Sequence, residues 1–391
     1  MSPVEPLPHR VADALRAVPA PVCAYVYDTE TLRTQAGAVR AALPPGTVLL
    51  YAVKANGHPD VVRTLAAVTD GLEVASGGEL ELARAAGARR IVVGGPAKTD
   101  VELAAAVAAG AIVNVESTHE LRRLDLLARA AATVADVCVR VNRPDVTVSG
   151  SHAMTGTATP FGVDEAQLPT VLALAGRLTG VRVVGFHLHA VSNNLDAVAH
   201  AAFIADAVRW SVTAAARHAV TLSVINVGGG LGVDHAGEAT IDLAALRDGL
   251  AAVRLPAGAA LIVEPGRLLA AAAGWYAAEV LDLKHTHGRT FAVLRGGTHH
   301  FRLPAAWGYS HPFTVLPVDD WPYPFDRPQV TDVAVDAVGE LCTPRDVLTR
   351  GQHVDRLRVG DVLVFGRTGA YGWDISHHDF LRHPAPAFLI T

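Results

Sequence analysis

Residues 47–95 read TVLLYAVKANGHPDVVRTLAAVTDGLEVASGGELELARAAGARRIVVGG. Three short apolar runs, which end at Lys54, Ser76 and Gly95, alternate with stretches rich in Ala and Leu. The runs are almost continuously apolar, as strands buried on both faces are, and the stretches between them favour helices. The segment therefore predicts successive strand–helix units that build a parallel sheet.

The same alternation continues to about residue 270. Five further apolar runs end, in chain order, at Glu116, Asn142, His189, Gly230 and Gly266. Strand–helix units in such a succession favour an α/β fold with a closed parallel (β/α)₈ barrel, a TIM barrel, which we place at residues 41–275. The catalytic groups of such barrels lie at the carboxyl ends of the strands, where several of these runs end in polar residues.

The alternation of strand-like and helical stretches is absent on both sides of the predicted barrel. From about residue 275 onward, runs such as TFAVLRGG and VTDVAVDAVG are strand-like and show little helical periodicity. We therefore predict a second, β-rich domain, barrel- or sandwich-like, over residues 276–391. The early run VCAYVYD predicts that the N-terminal segment 1–40 contributes a strand to that domain.

Charge, hydropathy and cysteine content restrict the partners and the location. The net charge is −5 and no basic stripe is present, so we expect no nucleic-acid partner. The sequence shows neither a signal-peptide pattern nor the roughly 18 consecutive apolar residues that a membrane span needs. The three cysteines are far apart and odd in number, which predicts no disulfide framework and favours the cytoplasm.

Three features at the predicted strand ends suit one cofactor. Lys54 closes the first run, where desolvation would make an amine a nucleophile for carbonyl carbons, although the side chain could also simply reach solvent. Gly228–Gly230 follow the seventh run, where this fold commonly binds phosphate; a tight turn is the alternative. Glu264 ends the eighth run and suits a protonated pyridine nitrogen, or else an ion pair with Arg267. Together they indicate pyridoxal 5′-phosphate (PLP).

Other polar residues allow more than one interpretation. His187 and His189 lie on one face of the sixth run, where they could bind zinc or place an imidazole against a flat cofactor. No clear further zinc ligand follows, and we expect no metal. Cys342 is either a buried inert thiol or a functional one. Tyr371 could hydrogen-bond a phosphate, and His377–His378 could form part of a site or hold a loop.

Seven motifs occur along the chain in a fixed order: YAVKAN, EVASGGELE, GFHLHAVS, NVGGGLGV, EPGR, GELC and GAYG. In this order and spacing they resemble the fold-type III PLP-dependent decarboxylases, which include the diaminopimelate and ornithine decarboxylases. The resemblance extends from about residue 21 to the end of the chain. It implies an amino-acid α-decarboxylase that works as a homodimer with two shared active sites.

The resemblance also implies a role for each matching residue. Lys54 matches the lysine that binds the cofactor covalently, His189 the histidine that stacks on its ring, and Glu264 the partner of its pyridine nitrogen. Cys342 matches a cysteine that reaches an active site across the dimer interface and returns a proton to the substrate, with Lys54 as the alternative donor. The cofactor-binding set is completed by Ser192, Gly228, Gly229, Gly230, Gly266, Arg267 and Tyr371.

Two departures from the family pattern bear on the substrate. Thr343 follows Cys342, whereas diaminopimelate decarboxylases carry an acidic residue there. LCTPRDVL, LRGGTHHFRLP and GAYGWDISHHDFLRHPAP resemble a branch in carboxylate siderophore biosynthesis, whose members decarboxylate an amino acid already joined to citrate. Arginine suits bidentate carboxylate binding. The expected substrate contacts are His299, His300, Arg302, Arg345, Asp346, His377 and His378.

Other functions stay open on the sequence. The main alternative is decarboxylation of diaminopimelate or another basic amino acid. An amino-acid racemase is a second, but racemases of this type place an arginine, not an acid such as Glu264, at the pyridine nitrogen. A non-catalytic PLP-binding protein is a third, but such proteins lack a β-rich domain. A metal hydrolase is the most remote.

Overall fold

The computed structural model describes residues 7–146, 148–237 and 239–391, which form two compact units. The barrel unit comprises Arg33–Val233 and Ala239–Leu269. The β-rich unit comprises the described parts of Met1–Leu32, Asp234–Glu238 and Ala270–Thr391. These divisions, after Leu32 and after Leu269, lie before the boundaries predicted at residues 40 and 275, and the first of them falls within a helix.

The strands, in chain order, are β1 (Cys23–Tyr27), β2 (Val48–Ala52), β3 (Gly71–Val74), β4 (Ile91–Val93), β5 (Ile112–Val115), β6 (Ala135–Asn142), β7 (His152–Ala153), β8 (Val163–Asp164), β9 (Val181–His187), β10 (Val191–Ser192), β11 (Val224–Asn226), β12 (Ala260–Val263), β13 (Gly274–Thr286), β14 (Arg289–Leu294), β15 (Thr314–Leu316), β16 (Gln329–Val338), β17 (Val347–Arg358), β18 (Val362–Phe365) and β19 (Ala387–Ile390).

The α-helices are α1 (His9–Arg16), α2 (Thr29–Ala42), α3 (Pro59–Val68), α4 (Gly77–Ala85), α5 (Asp100–Ala108), α6 (Thr118–Ala130), α7 (Leu168–Ala175), α8 (Ala197–His218), α9 (Leu243–Leu250), α10 (Arg267–Ala270) and α11 (Leu303–Trp307).

Eight parallel strands close into a barrel, and the order around it is β5-β4-β3-β2-β12-β11-β9-β6, with β6 pairing back onto β5. This confirms the predicted fold class. The strand that precedes Lys54 and the strand that precedes Glu264 are direct neighbours, since Ile262 of β12 pairs with Val48 of β2. The closed barrel thus brings the first and last predicted strand ends side by side.

Most barrel strands are shorter than the sequence predicts. β2 ends at Ala52, and Lys54 lies in the single 3₁₀ turn Val53–Ala55 that follows. His189 and Glu264 likewise lie one or two residues past the ends of β9 and β12. The polar residues therefore lie on the connections just beyond the carboxyl ends of the strands, because the ladder pairing stops before it reaches them.

Side-chain caps fix several of these connections. Ser76, Thr99 and Ser117 precede α4, α5 and α6, and each side chain accepts a hydrogen bond from a backbone N–H of the first turn. Such caps satisfy donors that a helix leaves unpaired and contribute about 1 kcal/mol each. Two to six residues separate these helices from the preceding strands, so the loops at this end of the barrel are short.

The barrel interior is filled by apolar side chains toward its amino-terminal end. One buried cluster there consists of Val48, Leu50, Val92, Cys138, Val184, Val224 and Ile262. Toward the carboxyl ends of the strands, buried polar residues replace the apolar ones: Glu73, Asn114, Arg140, Asn226 and Glu264. The buried polar residues, and with them the candidate site, therefore lie at one end of a barrel whose interior is filled by side chains.

The β-rich unit is an eight-stranded sheet with the path β15-β18-β13-β14-β16-β17. β1 pairs antiparallel with β13 and parallel with β19, so the strand predicted from VCAYVYD lies in this sheet. Within the described residues, no helix combines the length and the apolar character needed to cross a bilayer.

Candidate active site

Lys54 has an acidic partner that holds its amine at the barrel end. Its Nζ donates a hydrogen bond to Oε2 of Glu73, at the adjacent strand β3. The Glu73 side chain is buried, whereas that of Lys54 is 45% exposed. The expectation from the sequence that this amine is desolvated is therefore wrong. The lysine is accessible to a carbonyl compound, and an ion pair positions it.

Glu264 is a buried acid whose ionised form is disfavoured. Its Oε1 accepts a 2.6 Å hydrogen bond from Nδ2 of Asn226, and its Oε2 lies 3.7 Å from Nε2 of His187. Burial, reinforced by the negative charge of Glu73, raises the pKa of Glu264 to about 8, although the Asn226 hydrogen bond works in the opposite direction. A cationic group placed beside it would remove that penalty.

His187 and His189 present two nearly parallel rings, 6.3 Å apart between centroids and 7° apart in plane. Burial, followed by the positive charge of Arg140, holds the pKa of each imidazole well below its usual value. Both rings are therefore neutral at physiological pH. Among the described residues, no group of three or more His, Cys, Asp or Glu side chains is arranged to hold a metal ion.

The glycine turn after β11 is shaped by close contacts. Gly228 has a φ of +67°, and a Cβ built on it would lie 2.5 Å from Nδ1 of His189. A Cβ on Gly229 would lie 2.4 Å from the carbonyl oxygen of Glu264, whose N–H in turn donates to the Gly228 carbonyl at 2.8 Å. Only glycine therefore lets this turn lie directly against both the imidazole and the acid.

Several buried polar atoms around this turn have no hydrogen-bond partner in the part of the chain that the structure describes. They include both ring nitrogens of His187, Nδ1 of His189 and Oδ1 of Asn194. Buried polar groups are normally satisfied, so a ligand with polar groups is expected here. PLP fits this set of residues: a phosphate for the glycine turn, a flat ring for His189, a ring nitrogen for Glu264 and a carbonyl for Lys54.

The other predicted cofactor residues of the barrel unit lie on the same connections. Gly266 packs against the chain that carries Lys54, since a Cβ there would lie 2.8 Å from the Cβ of Ala55. Arg267 is buried at the start of α10. Ser192 ends β10 and is half-buried. The structure therefore brings these positions to the same barrel end as the glycine turn.

A buried ion network extends from the site into the barrel wall. Arg140 donates to Glu116 at 3.0 Å, and Lys98 donates to Glu120 at 2.6 Å. The two pairs are joined because the Glu116 N–H donates to Glu120 Oε2. Arg140 is the charge that lowers the pKa values of His187 and His189 after burial, so the network maintains neutral imidazoles at the site.

In the β-rich unit, Cys342 is an exposed free thiol on the loop between β16 and β17. Asp346 ties the base of this loop: its carboxylate accepts N–H bonds from Thr298 at 2.6 Å and Leu341 at 2.9 Å. Glu340, two residues before the thiol, pairs with Arg295. The inert buried cysteine considered from the sequence is therefore excluded for Cys342.

The expected substrate contacts divide by exposure. Arg302, Arg345 and His377 are exposed, and His378 is half-buried with its ring stacked on Trp373. By contrast, the pair His299–His300 is fully buried in this unit, and Asp346 is 2% exposed with both carboxylate oxygens engaged by backbone donors. Tyr371 is half-buried and has a left-handed backbone conformation, with φ of +55°.

The sequence analysis did not identify Glu73 or Asn226 as parts of the site. Each is a buried polar residue within a short apolar strand run, GLEV and VIN respectively. A polar side chain in such a run is itself a signal, since strands buried on both faces are otherwise apolar. Their partners Lys54 and Glu264 lie at the ends of the neighbouring strands, and the side-chain contacts follow only from the folded structure.

The chain is similar to known decarboxylases. The family model described as "Pyridoxal-dependent decarboxylase, pyridoxal binding domain" matches residues 29–271. The chain is 38% identical over 389 residues to the 2-[(L-alanin-3-ylcarbamoyl)methyl]-2-hydroxybutanedioate decarboxylase of Staphylococcus aureus, covering 97% of this chain and 96% of that protein. It is 36% identical to the diaminopimelate decarboxylase of Deinococcus radiodurans, covering 98% and 93% of the two chains.

Solved structures show the same fold. The diaminopimelate decarboxylase of M. jannaschi superposes with a TM-score of 0.85 at 25% identity, covering 97% of this chain and 89% of that one. The Helicobacter pylori diaminopimelate decarboxylase, solved with L-lysine, gives a TM-score of 0.85 at 24% identity, covering 97% and 94%. The barrel and the β-rich unit are thus both present in these relatives.

Proposed function

Because this chain belongs to the fold-type III PLP-dependent decarboxylases, we propose that it releases CO₂ from an amino acid already joined to citrate. The observation that carries the substrate is the likeness, over nearly the full length of both chains, to an enzyme whose name describes such a conjugate. The role is a step in carboxylate siderophore biosynthesis. The absence of an acidic residue after Cys342, where Thr343 stands, supports a substrate other than diaminopimelate.

PLP, when bound, supplies an electron sink for the electron pair that remains when CO₂ departs. Lys54 supplies the amine that binds the cofactor, and Glu73 holds that amine in place. Glu264 keeps a proton at the pyridine nitrogen, with Asn226 orienting its carboxylate. His189 and the Gly228–Gly230 turn position the ring and the phosphate.

Proton return to the substrate is assigned to Cys342, with Lys54 as the alternative donor. Support for Cys342 comes from its exposure on a tied loop, where a free thiol can reach a bound molecule. We infer a homodimer whose two sites are each completed by the partner's Cys342. The free cysteines Cys23, Cys138 and Cys342 support a cytoplasmic location.

For the polycarboxylate part of the substrate, the proposed contacts are Arg302, Arg345 and His377, because these residues are exposed. Guanidinium groups bind carboxylates through two parallel hydrogen bonds, which favours the arginines. The buried His299–His300 and Asp346 instead support the loops that carry these residues.

The test of the substrate is CO₂ release from a panel of amino acids. The panel contains a citryl amide of 2,3-diaminopropionate, free 2,3-diaminopropionate, diaminopimelate, ornithine and lysine. We expect kcat/KM for the conjugate to exceed that of every free amino acid by at least 100-fold. A higher kcat/KM for diaminopimelate would establish the alternative, a diaminopimelate decarboxylase, and would refute the proposed substrate.

Two variants test the assignments in the chain. Lys54→Ala should lose the visible absorbance that borohydride bleaches, and a chromophore that stays covalently attached would refute the role of Lys54. Mixing Lys54→Ala with Cys342→Ala subunits should restore activity, since one of the two sites in each mixed dimer has both residues. Mixtures as inactive as the separate variants would refute the shared site.

A further inference from the structure

His200 is a buried histidine that the assigned chemistry does not use. It lies in the first turns of α8 and is 1% exposed. Neither ring nitrogen has a hydrogen-bond partner among the described residues. A buried imidazole normally satisfies at least one nitrogen, because an unpaired buried donor or acceptor loses the hydrogen bond it had with water.

The ring of His200 lies against the glycine turn. Gly230 has a φ of +102°, and a Cβ built on it would lie 3.2 Å from Cε1 of His200. Cε1 is the carbon between the two ring nitrogens, so the edge of the ring that carries both of them faces this turn. The Val191 carbonyl oxygen lies nearer to that Cβ, at 2.7 Å.

The unpaired groups near His200 gather at the same turn. The carbonyl of Gly230 accepts the N–H of Asn194 at 2.8 Å, and Oδ1 of that asparagine is also buried without a partner among the described residues. On the other side of the turn, Nδ1 of His189 is in the same condition. Unpaired imidazole and amide groups therefore surround the glycine turn on several sides.

We propose that His200 is a further phosphate-binding residue, which donates an imidazole N–H to the phosphate held by the Gly228–Gly230 turn. A phosphate offers acceptors and negative charge, which are what a buried imidazole edge without a partner requires. The inference rests on PLP as the cofactor and not on the citrate-conjugated substrate. It explains why a polar ring occupies a position in the otherwise largely apolar buried face of α8.

The alternative is that His200 is only a packing residue, since its ring also lies 6.0 Å from that of Phe203. Two substitutions separate these roles. His200→Phe keeps a ring of similar shape and removes the donor, whereas His200→Gln keeps a donor. His218→Phe, on the same helix about 27 Å further along, is the matched control.

The experiment measures the affinity of the apoenzyme for PLP and for pyridoxal, which lacks the phosphate, by the absorbance of the bound chromophore. We expect His200→Phe to weaken PLP binding by roughly 10- to 100-fold, the range for a charge-assisted hydrogen bond, and to leave pyridoxal binding unchanged. His200→Gln should recover part of the loss, and His218→Phe should show none. Equal changes for the two ligands, or no change, would overturn the proposal.

A second measurement applies if the phenylalanine variant does not fold. The ³¹P resonance of PLP bound to His200→Gln should be displaced from that of the wild type, while the visible spectrum of the ring stays the same. An identical ³¹P resonance would overturn the proposal. Because neither measurement uses an amino-acid substrate, failure here is distinct from failure of the proposed substrate.

Discussion

The raised pKa of Glu264 makes the apoenzyme lose stability as the pH rises. The pKa of this carboxyl is 4.5 in the unfolded chain and about 8 in the folded one, because of burial and the nearby Glu73 charge. Below pH 4.5 both states are protonated and the contribution to stability is fully present. Between pH 4.5 and 8 the unfolded chain ionises while the folded chain keeps its proton, so that contribution is lost by about 1.4 kcal/mol per pH unit.

Glu264→Gln removes this titration and keeps the shape of the side chain. From pH 6 to pH 8 we expect the wild-type apoenzyme to lose about 2 kcal/mol more of its free energy of unfolding than the variant does. Amide hydrogen exchange at β12 is the suitable assay, since it reports on the barrel unit separately from the β-rich unit. With PLP bound, the variant should lose turnover, because an amide carries no negative charge to hold the pyridine proton.

The control is Glu81→Gln, an exposed position on α4 in the same unit. It should follow the pH dependence of the wild type. If Glu264→Gln shows the same pH dependence as the wild type, the carboxyl is already ionised at pH 6, and the reasoning from burial is refuted. Full turnover in that variant would separately refute the role of Glu264 at the ring nitrogen.

Three further predictions follow from the same contacts. Gly228→Ala forces a φ of +67° on alanine and a contact with His189, so PLP affinity and the melting temperature should both fall. The backbone strain alone should lower the free energy of unfolding by about 1–3 kcal/mol. Unchanged PLP affinity would contradict phosphate binding by the glycine turn. Lys98→Met leaves Glu120 buried without its cation and should lower the free energy of unfolding in urea by about 3–5 kcal/mol. Adding Glu120→Leu should recover most of this loss, and an undiminished loss in the double variant would contradict the pairing. Cys342→Ala should change the stability by less than about 0.5 kcal/mol, because the thiol is exposed, yet slow turnover or alter the stereochemistry of protonation; unchanged kinetics and product would remove its role.

Local patterning was sufficient for the fold and for predicting that several candidate site residues lie at one end of the barrel. Runs that are apolar on both faces, each followed by a helical stretch, predict parallel strands, and their succession predicts a closed barrel. Because all strands of such a barrel point the same way, residues after each strand must meet at one end. Lys54, Glu264 and Gly228–Gly230 could therefore be brought together from the sequence, without any contact being known.

Pairing and burial were decided only by the tertiary structure. That Lys54 is held by Glu73, and Glu264 by Asn226, depends on how side chains at the ends of neighbouring strands are oriented, which the apolar pattern does not contain. Within the β-rich unit, residues of the same type also have opposite exposures: His377 is exposed, whereas His299 is fully buried. The sequence by itself determined the periodicity and the order of the strands, since these depend on neighbours along the chain. Side-chain partners and solvent exposure depend on segments that are distant in sequence, and only the folded chain decides them.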